Sequence, residues 1–159
     1  MSMSFAVFDS DGVLADVSHR LHHLQGRRKN WHGFFSQAAD DPVLDEGRTR
    51  VHAAAADHAI VYLSGRPERM RGLTERWLAH HALPAGALVL RPNRDRRPAR
   101  QLKPHLIAEV ARAGEVAFVV DDDDAVCTAL RQAGYQVVHA QWAAESAVLR
   151  DAQERRGRS

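Results

Sequence analysis

Long apolar runs are missing from this sequence of 159 residues. The longest lies near residues 116–120, whereas a helix that spans a membrane needs about 20 consecutive apolar residues. The apolar stretch at the N-terminus ends at Asp9, which is too early for the apolar core of a signal peptide. We therefore expect a cytoplasmic protein with no membrane partner. The hydrophobic content of 45% is sufficient for the core of one domain that covers residues 1–159.

Cysteine and lysine are both scarce. The single cysteine, Cys127, excludes an internal disulfide, and its place in a helical pattern is typical of a small buried hydrophobic residue. Of the 22 basic residues, Lys29 and Lys103 alone are lysines, which indicates that an ammonium group is specifically required where one occurs. The net charge of +2 is nearly balanced, so the pI of 9.1 is not by itself a sign of nucleic-acid binding.

Short apolar segments rich in valine alternate with amphipathic segments along the chain. The spacing of apolar residues predicts helices over 46–56, after Pro67, around 106–110 and around 126–133. Strands joined by such crossovers pair in parallel, so we predict an open α/β sheet of about five strands with helices on both faces. Residues 153–159 are polar and predict a frayed tail. Buried strands are predicted at residues 5–8, 59–63, 87–90, 116–120 and 135–139.

Residues 17–45 interrupt this alternation and predict a small helical insert after the first strand. Trp31, Phe34 and Phe35 are interpreted as its packing stripe rather than as a platform for stacked bases. Three histidines of the insert have a spacing that could bind zinc, but no further ligand completes the set. A solvated face is therefore the preferred interpretation of His19, His22 and His23.

Charged and polar residues follow three of the predicted strands. Residues 8–14 read FDSDGVL, which places two carboxylates at the turn after the first strand. Residues 64–66 (SGR) follow the second strand, where the N-terminus of the next helix would offer free N–H groups to a phosphate. The helix before the fourth strand is expected to open at residues 102–104, and that strand ends in four aspartates at 121–124. Ligands bind at the carboxyl ends of strands in such sheets, so we expect a site there.

This combination of residue types suits phosphoryl transfer to a carboxylate. A carboxylate nucleophile must approach a negatively charged phosphate, and a magnesium ion together with a lysine would offset the repulsion. Mg²⁺ prefers oxygen ligands, for which Asp9 and Asp122 are the candidates. Asp123 and Asp124 are interpreted instead as the cap and first-turn acids of the next helix.

Four segments in this order resemble the four motifs of the haloacid dehalogenase superfamily of phosphatases. They are FDSDGVL at 8–14, SGR at 64–66, Lys103, and VVDD at 119–122. The resemblance covers residues 5–139 and implies the Rossmann-like fold of that superfamily. The SGR and DD forms, together with the very short insert, more narrowly resemble the 3′-phosphatase domain of polynucleotide kinase-phosphatases.

The resemblance implies a catalytic role for four residues. Asp9 would be the nucleophile that forms an aspartyl-phosphate. Asp11 would protonate the leaving alkoxide and then deprotonate the attacking water. Ser64 would hydrogen-bond the transferring phosphoryl group, and Lys103 would offset its charge. The commonest form of the first motif has threonine where this chain has Val13, which removes a secondary hydrogen bond.

The resemblance also implies a magnesium site at the same edge of the sheet. Its ligands would be the Asp9 carboxylate, the Asp11 main-chain carbonyl and Asp122. Asp121 would assist these ligands or position Lys103. The expected cofactor is therefore Mg²⁺.

The substrate is expected to be phosphorylated and large. Gly65 and Arg66 belong to the second motif and are assigned to substrate binding. A basic run at residues 91–100 lies on the loop after the third strand, where Arg94 and Arg97 are candidates for contacts with a polyanion. A solvated loop is the alternative. The insert is too short to enclose a small substrate, which favours removal of terminal 3′-phosphates from nucleic acid.

Other functions stay open at the level of the sequence. The same chemistry could act on a nucleotide or a sugar phosphate. A receiver-like signalling module or a silent Mg²⁺-binding module would be a non-enzymatic alternative, but a receiver carries its phosphate-accepting aspartate after the third strand, where residues 90–92 read LRP. The Gly-rich loop of a kinase is absent from the sequence, and whether a separate kinase or repair partner exists stays open.

Overall fold

The computed structural model describes residues 3–159, and a five-stranded parallel sheet forms its centre. The strand order β3-β2-β1-β4-β5 places the first strand between the second and the fourth. Because the chain leaves the first strand toward one side and later returns on the other, a crevice opens at its carboxyl end. The predicted parallel sheet is confirmed. Its strands are β1 (Ser4–Phe8), β2 (Ala59–Pro67), β3 (Gly86–Arg91), β4 (Glu115–Asp121) and β5 (Val137–His139).

Helices cover both faces of the sheet, as predicted. Val51 and Trp77 pack with Phe8 on one face, while Leu106 and Val126 pack on the other. Within residues 3–159, no helix combines the length and the apolar character that crossing a membrane requires. The helices are α1 (Trp31–Ser36), α2 (Asp45–Ala54), α3 (Arg71–His80), α4 (Ala99–Ala111), α5 (Asp124–Gln132) and α6 (Ala147–Arg150).

β2 is four residues longer than the sequence predicts. It continues to Pro67 because Ser64 and Pro67 pair with Leu90 and Arg91 of β3. A 3-10 turn over Glu68–Met70 then precedes α3. The expectation that residues 64–66 lie at a helix N-terminus is therefore wrong. These residues belong to β2, so a phosphate would meet strand backbone there and not the free N–H groups of a helix.

α4 begins three residues before the predicted opening at 102–104. The Pro98 carbonyl accepts from the N–H groups of Gln101 and Leu102, which starts the helix at Ala99. Pro104 therefore lies inside α4, where it leaves one carbonyl of the preceding turn without its helical donor. Lys103 points inward from this turn and is buried.

The insert is helical, as predicted, and consists of α1 between two 3-10 helices over Ser18–Leu24 and Gln37–Asp40. Phe34 and Phe35 are buried in a small core that also contains Met70, Leu149 and Ala152. The packing interpretation is therefore confirmed for these two rings, whereas Trp31 is half-buried at the edge of that core.

The last residues of the sequence pack against the domain, whereas the sequence predicts a frayed tail. Asp151–Arg155 form a π-helical turn after α6, and Gln153 is buried. Gly157 has a φ of +60° and packs against the Arg96 carbonyl, so closely that a Cβ would lie 2.0 Å from that oxygen. Ser159 is buried against the carboxyl edge of the sheet. Met1 and Ser2, where the expected N-terminal stretch begins, lie outside the described residues.

Candidate active site

The carboxylates of the first motif lie in the crevice at the end of β1. The Asp9 N–H continues the sheet by donating to the Val120 carbonyl at 3.0 Å. The chain then turns sharply at Gly12, which has a φ of +82°. A Cβ on this glycine would lie 2.0 Å from Asp122 Oδ2, so glycine is required both by the backbone and by the neighbouring strand end. Asp9 and Asp11 are only 3% and 2% exposed.

Lys103 lies between two aspartates of this crevice. Its Nζ is 2.6 Å from Asp121 Oδ2 and 3.1 Å from Asp9 Oδ2. Burial lowers the pKa of Lys103, but Asp121 and Asp9 outweigh it and raise that pKa above the usual range. The ammonium therefore stays charged beside Asp9. Asp121 also accepts from the Asp123 N–H, so both of its oxygens are used and its main effect is to position Lys103.

Three carboxylates at this point form a cluster that fits a divalent cation. Asp9, Asp121 and Asp122 each offer an oxygen, and these oxygens lie within 4.8 Å of one another. Asp9 Oδ2 and Asp122 Oδ1 are buried and receive no hydrogen bond. Burial raises the pKa of Asp9, which Lys103 opposes, and burial also raises the pKa of Asp122 to about 6. Buried carboxylates of this kind need positive charge to stay ionised, so the residues present fit Mg²⁺.

Asp11 faces a different environment from Asp9. Its Oδ1 accepts from Arg66 Nε at 2.9 Å and from Arg20 Nη2 at 3.1 Å. Burial by itself would raise the pKa of Asp11, but Arg66 and Arg20 overcome it and lower that pKa well below the usual range. Its other oxygen, Oδ2, accepts from Ser159 Oγ at 3.1 Å. The arginines thus orient one oxygen of Asp11 and leave the other directed toward the crevice.

Asp41 completes a buried four-residue network that sequence reasoning missed. It accepts from Arg20 Nε at 2.8 Å and from Arg66 Nη2 at 3.2 Å. His19 Nε2 lies 2.7 Å from the same carboxylate. Two buried guanidiniums are therefore balanced by two buried carboxylates. A signal for Arg20 exists in the sequence, since it shares a helical stripe with the apolar Val17 and Leu24; Asp41 gives none.

The second motif contributes its hydroxyl and backbone rather than a helix end. Ser64 Oγ accepts from Ser10 Oγ at 2.7 Å and from the Arg66 N–H at 3.2 Å. Gly65 lies directly against Ser159, and a Cβ there would be 2.2 Å from the Ser159 carbonyl carbon. The site is therefore roofed by the last residues of the sequence at the point where a phosphate would meet Ser64 and Gly65.

A second arginine outside the motifs contacts Asp122, one of the expected metal ligands. Arg150 Nη1 is 3.0 Å from Asp122 Oδ2, and its Nη2 donates to the Asp122 carbonyl at 2.9 Å. Arg150 also pairs with Glu145. It thereby fixes the orientation of Asp122 from α6. Nothing in the sequence around Arg150 distinguishes it from a solvated arginine.

The basic run at 91–100 is divided between structural and exposed residues. Arg91 is buried and donates to the Gly65, Asp95, Arg97 and Ser159 carbonyls, and burial lowers the pKa of Arg91 to about 10. Arg97 pairs with Asp95 at 2.7 Å. Arg94 is exposed. Both predicted substrate contacts are thus exposed, but Arg97 is already paired with Asp95.

The histidines of the insert and Cys127 lie outside the aspartate cluster. Among residues 3–159, the aspartate cluster is the single group of three or more metal-ligating side chains, and the histidines of the insert do not join one. His22 and His23 pack against each other, with ring centroids 4.1 Å apart. Cys127 is buried, as predicted, and burial raises the pKa of its thiol to about 12.

The chain matches a family of phosphatase domains in sequence, and it matches several solved structures in fold. The family model for the phosphatase domain of polynucleotide kinase PNKP matches residues 4–144. A chain of the Pnkp1/Rnl/Hen1 RNA repair complex is similar in structure, with a TM-score of 0.76 and 22% sequence identity. That comparison covers 91% of this chain and 44% of the other, so this chain spans less than half the length of that relative. The comparison with curated proteins found no match.

Two further structures share the fold at low sequence identity. A haloacid dehalogenase-like hydrolase from Streptococcus pneumoniae gives a TM-score of 0.61 at 12% identity, covering 96% of this chain and 91% of that one. A haloacid dehalogenase family enzyme from Bacteroides thetaiotaomicron, solved with magnesium and inorganic phosphate, gives 0.56 at 9% identity, covering 92% and 98%. The predicted Rossmann-like haloacid dehalogenase fold is confirmed.

Proposed function

Since this chain belongs to the family of PNKP phosphatase domains, we propose that it is a magnesium-dependent phosphomonoesterase that removes terminal 3′-phosphates from nucleic acid. One observation supports the chemistry above all others. A buried carboxylate oxygen of Asp9 lacks a hydrogen bond, lies 3.1 Å from the Lys103 ammonium and belongs to a cluster of aspartates. Such an oxygen is placed to attack a phosphorus atom once positive charge surrounds it.

Asp9 is the nucleophile in this proposal. One carboxylate oxygen, Oδ1, is oriented by the Ser10 N–H at 2.8 Å, which holds the group in one rotamer. A new bond forms between Asp9 and phosphorus while the bond from phosphorus to the substrate oxygen breaks. Lys103 stays beside Asp9 and offsets charge on the transferring group, and Ser64 contacts the same group through its hydroxyl. Asp9, Asp122 and the Asp11 main-chain carbonyl would hold magnesium, which would supply further positive charge at the phosphoryl group. Asp121 holds Lys103 in place.

Asp11 moves the protons in both half-reactions. The negative charge of an arriving phosphate raises the pKa of a neighbouring carboxyl group, which favours the protonated form when the leaving oxygen must receive a proton. After the leaving group has departed, Arg20 and Arg66 again favour the ionised form of Asp11. This carboxylate accepts a proton from the attacking water. The water oxygen forms a bond to phosphorus as the bond between Asp9 and phosphorus breaks, and inorganic phosphate leaves. Arg66 therefore acts mainly by orienting Asp11, in addition to any contact with substrate.

The surface around the crevice supports a polyanionic substrate. Arg94 is exposed on the loop that follows β3, and Arg97 becomes available when it leaves Asp95. The similar chain from the RNA repair complex gives a reason to include RNA as well as DNA ends among the substrates tested. A repair partner that acts on the same ends would complete such a reaction sequence.

The test is a comparison of catalytic efficiency across substrate classes. We expect 3′-phosphorylated DNA or RNA oligonucleotides to be preferred over 5′-phosphorylated ones, nucleotides and sugar phosphates, with activity lost in EDTA and restored by Mg²⁺. Asp9→Asn is the control for contaminating phosphatase. A preference for one small metabolite would overturn the nucleic-acid assignment and favour the alternative phosphatase function. Activity that survives EDTA would overturn the magnesium assignment.

A further inference from the structure

A layered set of flat side chains borders the crevice on the side of the insert. The rings of Trp31 and Phe35 are stacked, with centroids 6.0 Å apart and 29° between their planes. The Arg158 guanidinium lies over the Trp31 ring at 5.0 Å, and the Arg69 guanidinium lies over Phe35 at 5.3 Å. Phe35 is buried, whereas Trp31 is half-buried. Trp31 is therefore the ring that can offer a face to a ligand.

Three arginines gather at this border without acidic partners. In the part of the chain that the structure describes, Arg69, Arg96 and Arg158 form no ion pair with a carboxylate, in contrast to Arg97, which pairs with Asp95. Burial, together with the nearby Arg96 and Arg69, lowers the pKa of Arg158. Mutual repulsion of this kind is unfavourable in the absence of a counter-charge. An anionic ligand would relieve it.

Residues 156–159 place a hydroxyl group and a guanidinium group at the crevice. Ser159 Oγ donates to Asp11 Oδ2, the oxygen proposed to exchange a proton with the leaving group. Arg158, one residue earlier, places a planar group on Trp31. In a strand with a 3′-phosphate, the leaving oxygen and the last base are attached to the same sugar. The segment therefore holds a hydroxyl and a flat group where a strand end would place its leaving oxygen and its last base.

We propose that Trp31 stacks with the last base of a single-stranded substrate, while Arg69 and Arg96 contact its phosphates, after residues 156–159 have moved aside. The proposal rests on the function proposed above and specifies its substrate as an unpaired end. Stacking needs a base with an exposed face, and an aromatic ring beside arginines is the usual way in which proteins bind single strands. With the segment in place, Asp9 and Asp11 are too buried to meet any phosphate.

Substitutions of Trp31 test the stacking contact. We expect Trp31→Ala to raise KM for a 3′-phosphorylated oligonucleotide by about 5- to 150-fold, with little change in kcat, because stacking on an aromatic ring contributes binding of that size. Trp31→Phe should recover much of the loss. An oligonucleotide whose last nucleotide lacks its base should bind wild type and Trp31→Ala equally. Turnover of p-nitrophenyl phosphate should not change, which shows that the catalytic fold is intact.

Substitutions of the arginines test the phosphate contacts. Arg69→Gln and Arg96→Gln should each lower the salt dependence of oligonucleotide KM, by about 0.7 in the slope against log salt concentration for each phosphate that the variant no longer neutralises. Arg112→Gln is the matched control, since Arg112 is exposed and follows α4 at the opposite edge of the sheet. An unchanged slope in both variants would overturn the assignment of these arginines.

Arg158→Ala tests the displaced segment. Removing a guanidinium that competes for Trp31 should lower oligonucleotide KM by about 2- to 5-fold, the strength of a cation–π contact that is not fully desolvated. An increase in KM would overturn its role as a competitor.

The outcomes separate this inference from the proposed function. If wild type shows no preference for oligonucleotides over small phosphoesters, the proposed function fails. If that preference holds but Trp31→Ala raises KM equally for normal and base-free ends, or slows p-nitrophenyl phosphate in parallel, the stacking inference alone is overturned.

Discussion

Replacing Asp41 with asparagine should both destabilise the protein and slow catalysis. Asp41 is 1% exposed and accepts hydrogen bonds from two guanidiniums, of Arg20 and Arg66, that are themselves fully buried. Asparagine keeps the shape but removes the charge, and its NH₂ group would face a donor. One of the two buried positive charges then has no counter-charge, since Asp11 alone remains.

The expected cost follows from the burial of this network. Removing one partner of a buried ion pair costs about 3 to 5 kcal/mol, out of a typical total stability of about 5 to 15 kcal/mol. For a domain of this size, each kcal/mol lowers Tm by about 2 to 4 °C, so we expect a decrease of about 6 to 20 °C. Because Arg20 and Arg66 also orient Asp11, kcat should fall even at temperatures at which the variant is folded.

Thermal denaturation followed by circular dichroism measures the first effect, and turnover of p-nitrophenyl phosphate at low temperature measures the second. Asp40→Asn is the matched control, because Asp40 is the exposed neighbour in sequence and should leave Tm within about 1 °C. An Asp41→Asn protein that melts within about 2 °C of wild type, with unchanged kcat, would refute the argument that this network is structurally and catalytically coupled.

Three further predictions concern the aspartate cluster and its lysine. Asp9→Asn should abolish turnover without loss of Tm, and substantial residual activity in the purified variant would reject Asp9 as the nucleophile. Lys103→Ala should slow turnover much more than Lys103→Arg, although arginine should not restore the full rate, because a planar fork replaces a compact ammonium; equal rates in all three proteins would contradict this. Burial raises the pKa of Asp122 to about 6 and also raises that of Asp9. Between about pH 4 and 7 the metal-free folded protein therefore binds more protons than the unfolded chain, so its stability should fall as pH rises through this window. The increase in Tm on adding Mg²⁺ should then be larger at pH 8 than at pH 5.5, and a shift independent of pH would count against the site.

The strand boundaries show where local information is sufficient and where it is not. β1 ends at Phe8, as the sequence predicts, because apolar residues give way to charged ones within a single turn. β2 continues past Leu63 because β3 offers pairing partners to Ser64 and Pro67, which no local pattern records. The local pattern does not reveal the start of α4 at Ala99, because Pro104 is typical of the first turn of a helix.

The sequence by itself determined the alternating fold and the residues that meet in the crevice. Asp9, Asp11, Lys103 and Asp122 are adjacent to strand ends or on the helix that packs beside them, so chain order and sheet topology suffice to bring them together. Tertiary structure alone decided which charged residues outside the motifs support them. Whether an arginine is solvated or buried depends on finding a carboxylate across the fold, as Arg20 does with Asp11 and Asp41, and burial of a charge is tolerated only when that partner is present. The position of residues 156–159 over the crevice is decided in the same way, by contacts with distant segments rather than by their own polar sequence.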